Sequence, residues 1–281
     1  MKKKSNVLRM LSALAAAACF LMLSACGGEG ETSGEDSSSS ASTSVSYELE
    51  DVAQLDERPL EGKTVYWLGS SVVYGSASGG VTMAEYMAKR QNCTSVKDAV
   101  SGTAFFNGGE YEYLAQRNYA TRCVTSTEFD TEADVDFFVC QISTNDAKYP
   151  EYLGEATADD VLDRSEFDLT TTMGAVEYII SYVQETWGCP VVFFSGICGY
   201  EGEERHENYG VLVDCIRALE DKWGIYVLDL FNDEEFNDLT DEERALYVAD
   251  YGTDNIHPTK AGYLEWWTPA FESYLTEVLG A

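Results

Sequence analysis

From Lys63 onward, short apolar runs alternate with segments of helical periodicity. The run KTVYWL predicts a first strand, and Met83, Tyr86 and Met87 recur at helical spacing between Thr82 and Gln91. VKDAV, ending at Val100, reads as a weaker second strand because polar residues interrupt it, and residues 111–121 predict a helix. DFFVCQI from Asp136 predicts the third strand. A helix over Thr171–Trp187 follows, with Met173, Val176, Ile180 and Val183 on one stripe. VVFFS from Val191 to Ser195 is the fourth strand, Asn208–Trp223 a helix, and IYVLDL from Ile225 the fifth strand. A closing helix over Lys260–Leu279 turns Leu264, Trp267, Phe271, Leu275 and Val278 inward.

Strands apolar on both faces that alternate with helices predict a parallel sheet covered on each side. The expected fold is α/β, a three-layer α/β/α sandwich around a central five-stranded parallel sheet. Residues 146–170 and 232–255 read as polar, loop-rich insertions after the third and fifth strands. Both are expected to overhang the carboxyl edge of the sheet, where open α/β sheets hold their ligands.

The start of the chain has a different pattern. Lys2, Lys3, Lys4 and Arg9 precede the apolar stretch Leu11–Met22, which is too short to span a bilayer comfortably and predicts a signal peptide over residues 1–25. Its end, Leu23-Ser24-Ala25-Cys26, resembles the lipobox of bacterial lipoproteins. The resemblance implies that Cys26 carries the lipid, with the mature protein anchored on the extracytoplasmic side of the cell membrane. Residues 26–51 are rich in Gly, Ser, Thr, Glu and Asp and predict a flexible tether, leaving residues 52–281 as one domain.

Composition narrows the partners. The formal net charge is −31, and a surface of that sign repels a phosphate backbone, so nucleic acid is excluded as a partner. A small-molecule or glycan ester is easier to admit. Of the eight cysteines, Cys19 and Cys26 fall in the leader and its end. Cys140 sits inside an apolar strand, and Cys215 shares a predicted helical face with Val211, Leu212 and Leu219, so both read as core residues. Cys189 and Cys198 bracket a strand too long to let them pair. The pairing of Cys93, Cys123, Cys189 and Cys198 stays open. Two histidines and no C-x-x-C motif give no support for a metal site.

The chemistry-bearing residues collect where strands end. Gly69-Ser70-Ser71 follows the first strand and offers Ser70 or Ser71 as a nucleophile; Ser101-Gly102-Thr103 follows the second, and Ser143-Thr144-Asn145-Asp146 the third. Asp254-Asn255-Ile256-His257-Pro258 precedes the last helix. A serine hydroxyl needs a base, and histidine suits that task near neutral pH. His257 is the candidate base, oriented by Asp254 three residues earlier across a short turn. His206, in a charged stretch, reads as a solvated helix start. The backbone N–H of Ser71, that of Gly102 and the side-chain amide of Asn145 can converge on a developing oxyanion. A rival arrangement takes Cys198 as nucleophile with His206, but nothing beside Cys198 supplies such donors.

These four segments are similar to the four sequence blocks of the SGNH, or GDSL, hydrolases, over about Thr64 to Tyr263, with HPTKAGY the most specific part. The resemblance implies a flavodoxin-like fold, nucleophile Ser71 rather than Ser70, oxyanion-hole members Ser71, Gly102 and Asn145, and the pair Asp254/His257. Ser70 stands where the family has Asp, which predicts altered loop bonding rather than lost activity, and Ser143 where it commonly has Gly, which leaves the amide of Asn145 in place. The implied activity is that of a serine esterase needing no metal or organic cofactor. Its expected substrates are short-chain O-acyl, chiefly acetyl, groups on carbohydrate, with Tyr149, Tyr152, Tyr251, Trp266 and Trp267 as candidate sugar-stacking rings. The alternatives are a lysophospholipase or thioesterase of the same family, and a non-catalytic glycan-binding surface lipoprotein.

Overall fold

A computed structural model describes residues 45–107 and 116–280. The predicted signal peptide, Cys26, most of the tether and the first part of the helix expected at 111–121 lie outside the described residues. Contacts with the domain begin ahead of Val52: the Tyr47 hydroxyl donates to Glu265 at 2.9 Å.

Five strands form one sheet in the order β2-β1-β3-β4-β5: β1 Thr64–Gly69, β2 Thr94–Ala99, β3 Phe137–Gln141, β4 Val191–Phe194 and β5 Tyr226–Leu228. Every neighbouring pair is parallel. The side-chain period of two divides each central strand between two cores. Tyr66, Leu68, Phe138, Cys140 and Phe193 face one layer of helices. Val65, Trp67, Phe137, Val139, Val192 and Phe194 face the other. This explains the uninterrupted apolar runs in the sequence.

The helices are α1 Ser71–Tyr74, α2 Met83–Gln91, α3 Tyr119–Thr125, α4 Thr172–Thr186, α5 Glu204–Arg217, α6 Glu220–Trp223, α7 Glu234–Asn237, α8 Asp241–Tyr247 and α9 Thr268–Leu279, with a π-helical turn at Gly262–Trp267 leading into α9. The predicted stripes are inward: Met83, Tyr86 and Met87 on α2, and Met173, Val176, Ile180 and Val183 on α4, are all buried. At the closing helix Trp267, Phe271, Leu275 and Val278 are buried while Leu264 is half-buried.

Two expectations need correction. The helix expected at 208–223 starts four residues earlier and breaks after Arg217, which leaves Val211 half exposed and Cys215 only partly covered. The segment after β5, read as loop-rich, contains α7 and α8, both opened by a side chain that accepts a backbone N–H: Asp233 for Phe236 and Thr240 for Glu243. Of the helix expected at 111–121, the first part lies outside the described residues; in the rest of its span, 116–117 are helical and α3 starts at Tyr119 behind Asn118. The insertion after β3 is pinned near Thr157. There the buried Lys222–Glu177 pair, 2.6 Å apart, is joined by the Thr157 hydroxyl. The six cysteines of the described residues are free thiols.

Candidate active site

The order 2-1-3-4-5 places a topological switch point between β1 and β3, the crevice where open α/β sheets bind ligands. The chain leaves β1 through Gly69, where a Cβ would stand 2.3 Å from Val73 Cγ2 and 2.9 Å from Gln141 Oε1. Only glycine lets α1 begin so close to the sheet. The two serines that follow diverge. Ser70 is fully buried and turns inward, its N–H 2.9 Å and its Oγ 3.3 Å from Gln141 Oε1. Ser71 lies 2.8 Å from His257 Nε2. The amide of Gln141 thus supplies the loop bonding that the replaced Asp position calls for, and Ser71 alone reaches the histidine.

His257 is oriented by a carboxylate, but not by the expected one. Asp254 is exposed, whereas Asp250 Oδ2 lies 2.7 Å from His257 Nδ1. Asp250 Oδ1 also accepts the backbone N–H groups of Ile256 at 2.8 Å and His257 at 2.9 Å. A separation of seven residues works because 248–258 doubles back. Ala249 N–H donates to the His257 carbonyl at 2.8 Å, Val248 pairs with Pro258 in an antiparallel bridge, and Asn255 adopts φ +51° at the return. Asp254 falls at the tip of that loop. The sequence signal for Asp250 was its place ahead of Tyr251-Gly252-Thr253, since Asp favours the first position of a turn. Burial pushes the Asp250 carboxyl up, but the bonds from the His257 ring and the two backbone N–H groups outweigh it and hold it below the ordinary value.

Ser71 is the first residue of α1, so its N–H belongs to the orphan donors of a helix start. Gly102, at φ +80°, turns the chain back after β2, and its N–H has no partner among the described residues. Thr103 seals that turn by donating its hydroxyl to the Val100 carbonyl at 2.7 Å. The Asn145 amide donates one N–H to the Thr103 carbonyl at 3.0 Å, and its second N–H is left for a ligand. Ser143, the other departure from the family blocks, bridges the same two loops. Its Oγ donates to the Thr103 carbonyl at 3.1 Å and accepts the Asn145 N–H at 3.2 Å. A short hydroxyl contact between Ser76 and Ser101, 2.7 Å, ties the chain after α1 to the Gly102 turn.

Asp146, next along, is buried and accepts the Phe105 N–H at 3.0 Å and the Thr172 hydroxyl at 2.8 Å. Burial nonetheless pushes its carboxyl up to about 6. Sequence reasoning quoted Asp146 only as part of its block and missed this role beneath the loop.

The rival arrangement does not form. The Cys198 thiol is 1% exposed, and burial pushes it up to about 12, far from the thiolate a nucleophile requires. His206 Nδ1 instead lies 3.0 Å from the Cys198 carbonyl, and its ring packs on Phe231. Of the five candidate sugar-stacking rings, Tyr152 stacks on Phe106, Tyr149 meets the same ring edge-on, Trp266 packs against Phe236 and Tyr247, and Trp267 is buried. Tyr251, beside Asp250, is partly exposed and meets Tyr200 edge-on.

No protein-family profile matches the sequence, and no curated protein is similar to it at the sequence level. Solved structures are similar in shape. A protein from Lactobacillus plantarum superposes with TM-score 0.56 at 21% identity, covering 77% of this chain and 98% of the other. A GDSL-like lipase from Bacteroides ovatus gives TM-score 0.51 at 16% identity, covering 77% and 99%. An acetylxylan esterase from Geobacillus stearothermophilus, a catalytic mutant, gives 0.53 at 12% identity, covering 76% and 94%. With its all-parallel five-stranded sheet and these neighbours, the chain has the fold of the SGNH, or GDSL, hydrolases.

Proposed function

We propose that this protein is a serine esterase, a carboxylic ester hydrolase in which Ser71, His257 and Asp250 form the proton relay. The observation that carries the reading is the unbroken chain Ser71 Oγ to His257 Nε2 at 2.8 Å and His257 Nδ1 to Asp250 Oδ2 at 2.7 Å. Asp250 fixes the ring tautomer with its proton on Nδ1, leaving Nε2 as the base. As Ser71 Oγ attacks the ester carbonyl, its proton passes to Nε2, and the carboxylate of Asp250 stabilises the imidazolium. The negative charge gathers on the carbonyl oxygen, where the N–H groups of Ser71 and Gly102 and the Asn145 amide receive it; one such donor contributes about 3–4 kcal/mol in a studied hydrolase. Collapse returns the proton from Nε2 to the departing alcohol. Water, deprotonated by the same nitrogen, then releases the acyl group.

The substrates best supported are short-chain O-acyl, chiefly acetyl, groups on carbohydrate. One similar fold is an acetylxylan esterase, and the Tyr200–Tyr251 pair beside Asp250 offers a partly exposed aromatic edge for a sugar ring. Lipidation at Cys26 would hold the enzyme on the extracytoplasmic face of the cell membrane, near polymers of that kind. The test is hydrolysis of p-nitrophenyl acetate by the purified protein beside Ser71→Ala and His257→Ala. Turnover undiminished in Ser71→Ala overturns the reading. A chain-length series assigns the acyl group: preference for acetyl supports the carbohydrate esterase, and preference for chains beyond about eight carbons the lysophospholipase or thioesterase alternative.

A further inference from the structure

Arg122 on α3 has no part in the relay, yet it is 7% exposed and lies directly beneath the loops that carry it. A guanidinium has five N–H donors in a fixed plane, and each is engaged. Nε donates to the Arg117 carbonyl at 2.9 Å. Nη1 donates to the Asp98 carbonyl at 3.0 Å and to the Asp98 carboxylate. Nη2 donates to the Gly69 carbonyl at 2.8 Å and to Thr103 Oγ1 at 3.2 Å.

Two of these acceptors, the Gly69 carbonyl and Thr103 Oγ1, lie on the chain that presents the oxyanion donors. The Gly69 carbonyl closes β1, two residues before Ser71 and its N–H. Thr103 is adjacent to Gly102, and its hydroxyl spans the turn by donating to Val100. The Thr103 carbonyl in turn receives the Asn145 amide and the Ser143 hydroxyl. One cation therefore joins the exits of β1 and β2 directly, and the exit of β3 through Thr103. The Asp98 carboxylate, on β2 in register with Leu68, balances its charge.

We infer that Arg122 is the positioning residue that sets the spacing of the three oxyanion donors, Ser71 N–H, Gly102 N–H and the Asn145 amide, with Asp98 as its counter-ion. The inference rests on the serine-esterase reading for its effect on catalysis, though not for its effect on the loops. Lysine keeps the charge beside Asp98, but its ammonium is a point donor that cannot reach the Gly69–Thr103 pair, the Asp98 carbonyl and the Arg117 carbonyl at once. Displacement by a fraction of an ångström weakens donors aimed at the transition state more than those aimed at the ground state.

A natural control exists in the same molecule. Arg90 on α2 makes a bidentate pair with Glu272 on α9, 2.9 Å at each contact, and touches none of the site residues. The test compares full-length Arg122→Lys and Arg90→Lys with the parent protein. In Arg122→Lys, kcat on an acetyl ester should fall about 10- to 100-fold, KM should stay within about threefold, and the pH profile should keep its midpoint, because the relay is untouched. Arg90→Lys should lower the melting temperature with kcat preserved. A kcat for Arg122→Lys within twofold of the parent overturns the inference, as does an equal loss in both variants. Amide hydrogen exchange reads the loops without any turnover. Exchange at residues 100–104 and 143–146 should quicken in Arg122→Lys and not in Arg90→Lys, and unchanged exchange overturns the inference. A parent protein that hydrolyses no ester refutes the esterase reading alone, because the exchange comparison still decides whether Arg122 holds the loops.

Discussion

Two carboxylates stand behind the candidate site, one at each side, and they differ in what they are given. Asp250, in the doubled-back 248–258 segment, is half-buried and accepts the His257 ring and two backbone N–H groups. Asp146, at the exit of β3, is almost wholly covered and lies among neutral groups, the Phe105 N–H and the Thr172 hydroxyl. The first is held below the ordinary carboxylate value; the second is pushed up to about 6. Donor supply together with water access, and not hydrogen bonding alone, decides how readily each acid gives up its proton. Asp250 orients the proton relay, and Asp146 braces the loop that presents Asn145.

Substituting each acid tests that division, and Asp250→Asn should give the largest effect. The asparagine oxygen keeps the backbone N–H bonds while its NH2 faces Nδ1, forcing the ring proton onto Nε2, where it cannot accept from Ser71. Activity on a short-chain ester should fall by about three to four orders of magnitude with KM little altered; a loss below tenfold would remove Asp250 from the relay.

Asp146→Asn addresses stability. A carboxyl whose folded value is raised from 3.8 to about 6 contributes stability that is fully present below about pH 4 and lost as the pH rises through 6. Asparagine does not titrate. Urea denaturation should therefore show the parent losing ground to the variant between pH 4 and 6, by up to about 3 kcal/mol. Parallel pH curves would contradict the assignment. Thr172→Val removes one donor to Asp146 and should cost about 1–3 kcal/mol, more at pH 7 than at pH 4, read by the same denaturation series. The smallest effect belongs to Asp254→Asn, at the exposed tip of the same loop as Asp250: kcat and KM should stay within twofold of the parent.

The fold was legible because the sheet is buried on both faces. Strands such as DFFVCQI carry no polar alternation to confuse them with surface segments, and the stripe on α4 has a single period. The strand ends offered Ser70 or Ser71, Gly102 and Asn145 as candidates, with His257 just ahead of the last helix, and the family resemblance chose Ser71; the structure brings Ser71 against His257 and Asn145 against the Gly102 turn. Asp250 was not, because spacing along the chain measures distance only while the backbone runs on. Where it folds back, as between Val248 and Pro258, the nearer aspartate in sequence becomes the farther one in space. Arg122 was equally hidden, since an arginine in a short helix reads as a surface charge until the acceptors from three other segments surround it. The helices α7 and α8 escaped notice because each is brief and strongly acidic, with only Phe236 buried between them.

The free thiols carry a consequence for what holds the molecule together. Cys93, Cys189 and Cys198 are pushed up to about 11 or 12 by burial, and Cys123 and Cys140 higher still. Sulfur in that state reacts slowly with oxidants. The packing of the described residues is then held without a disulfide that a reductant could break.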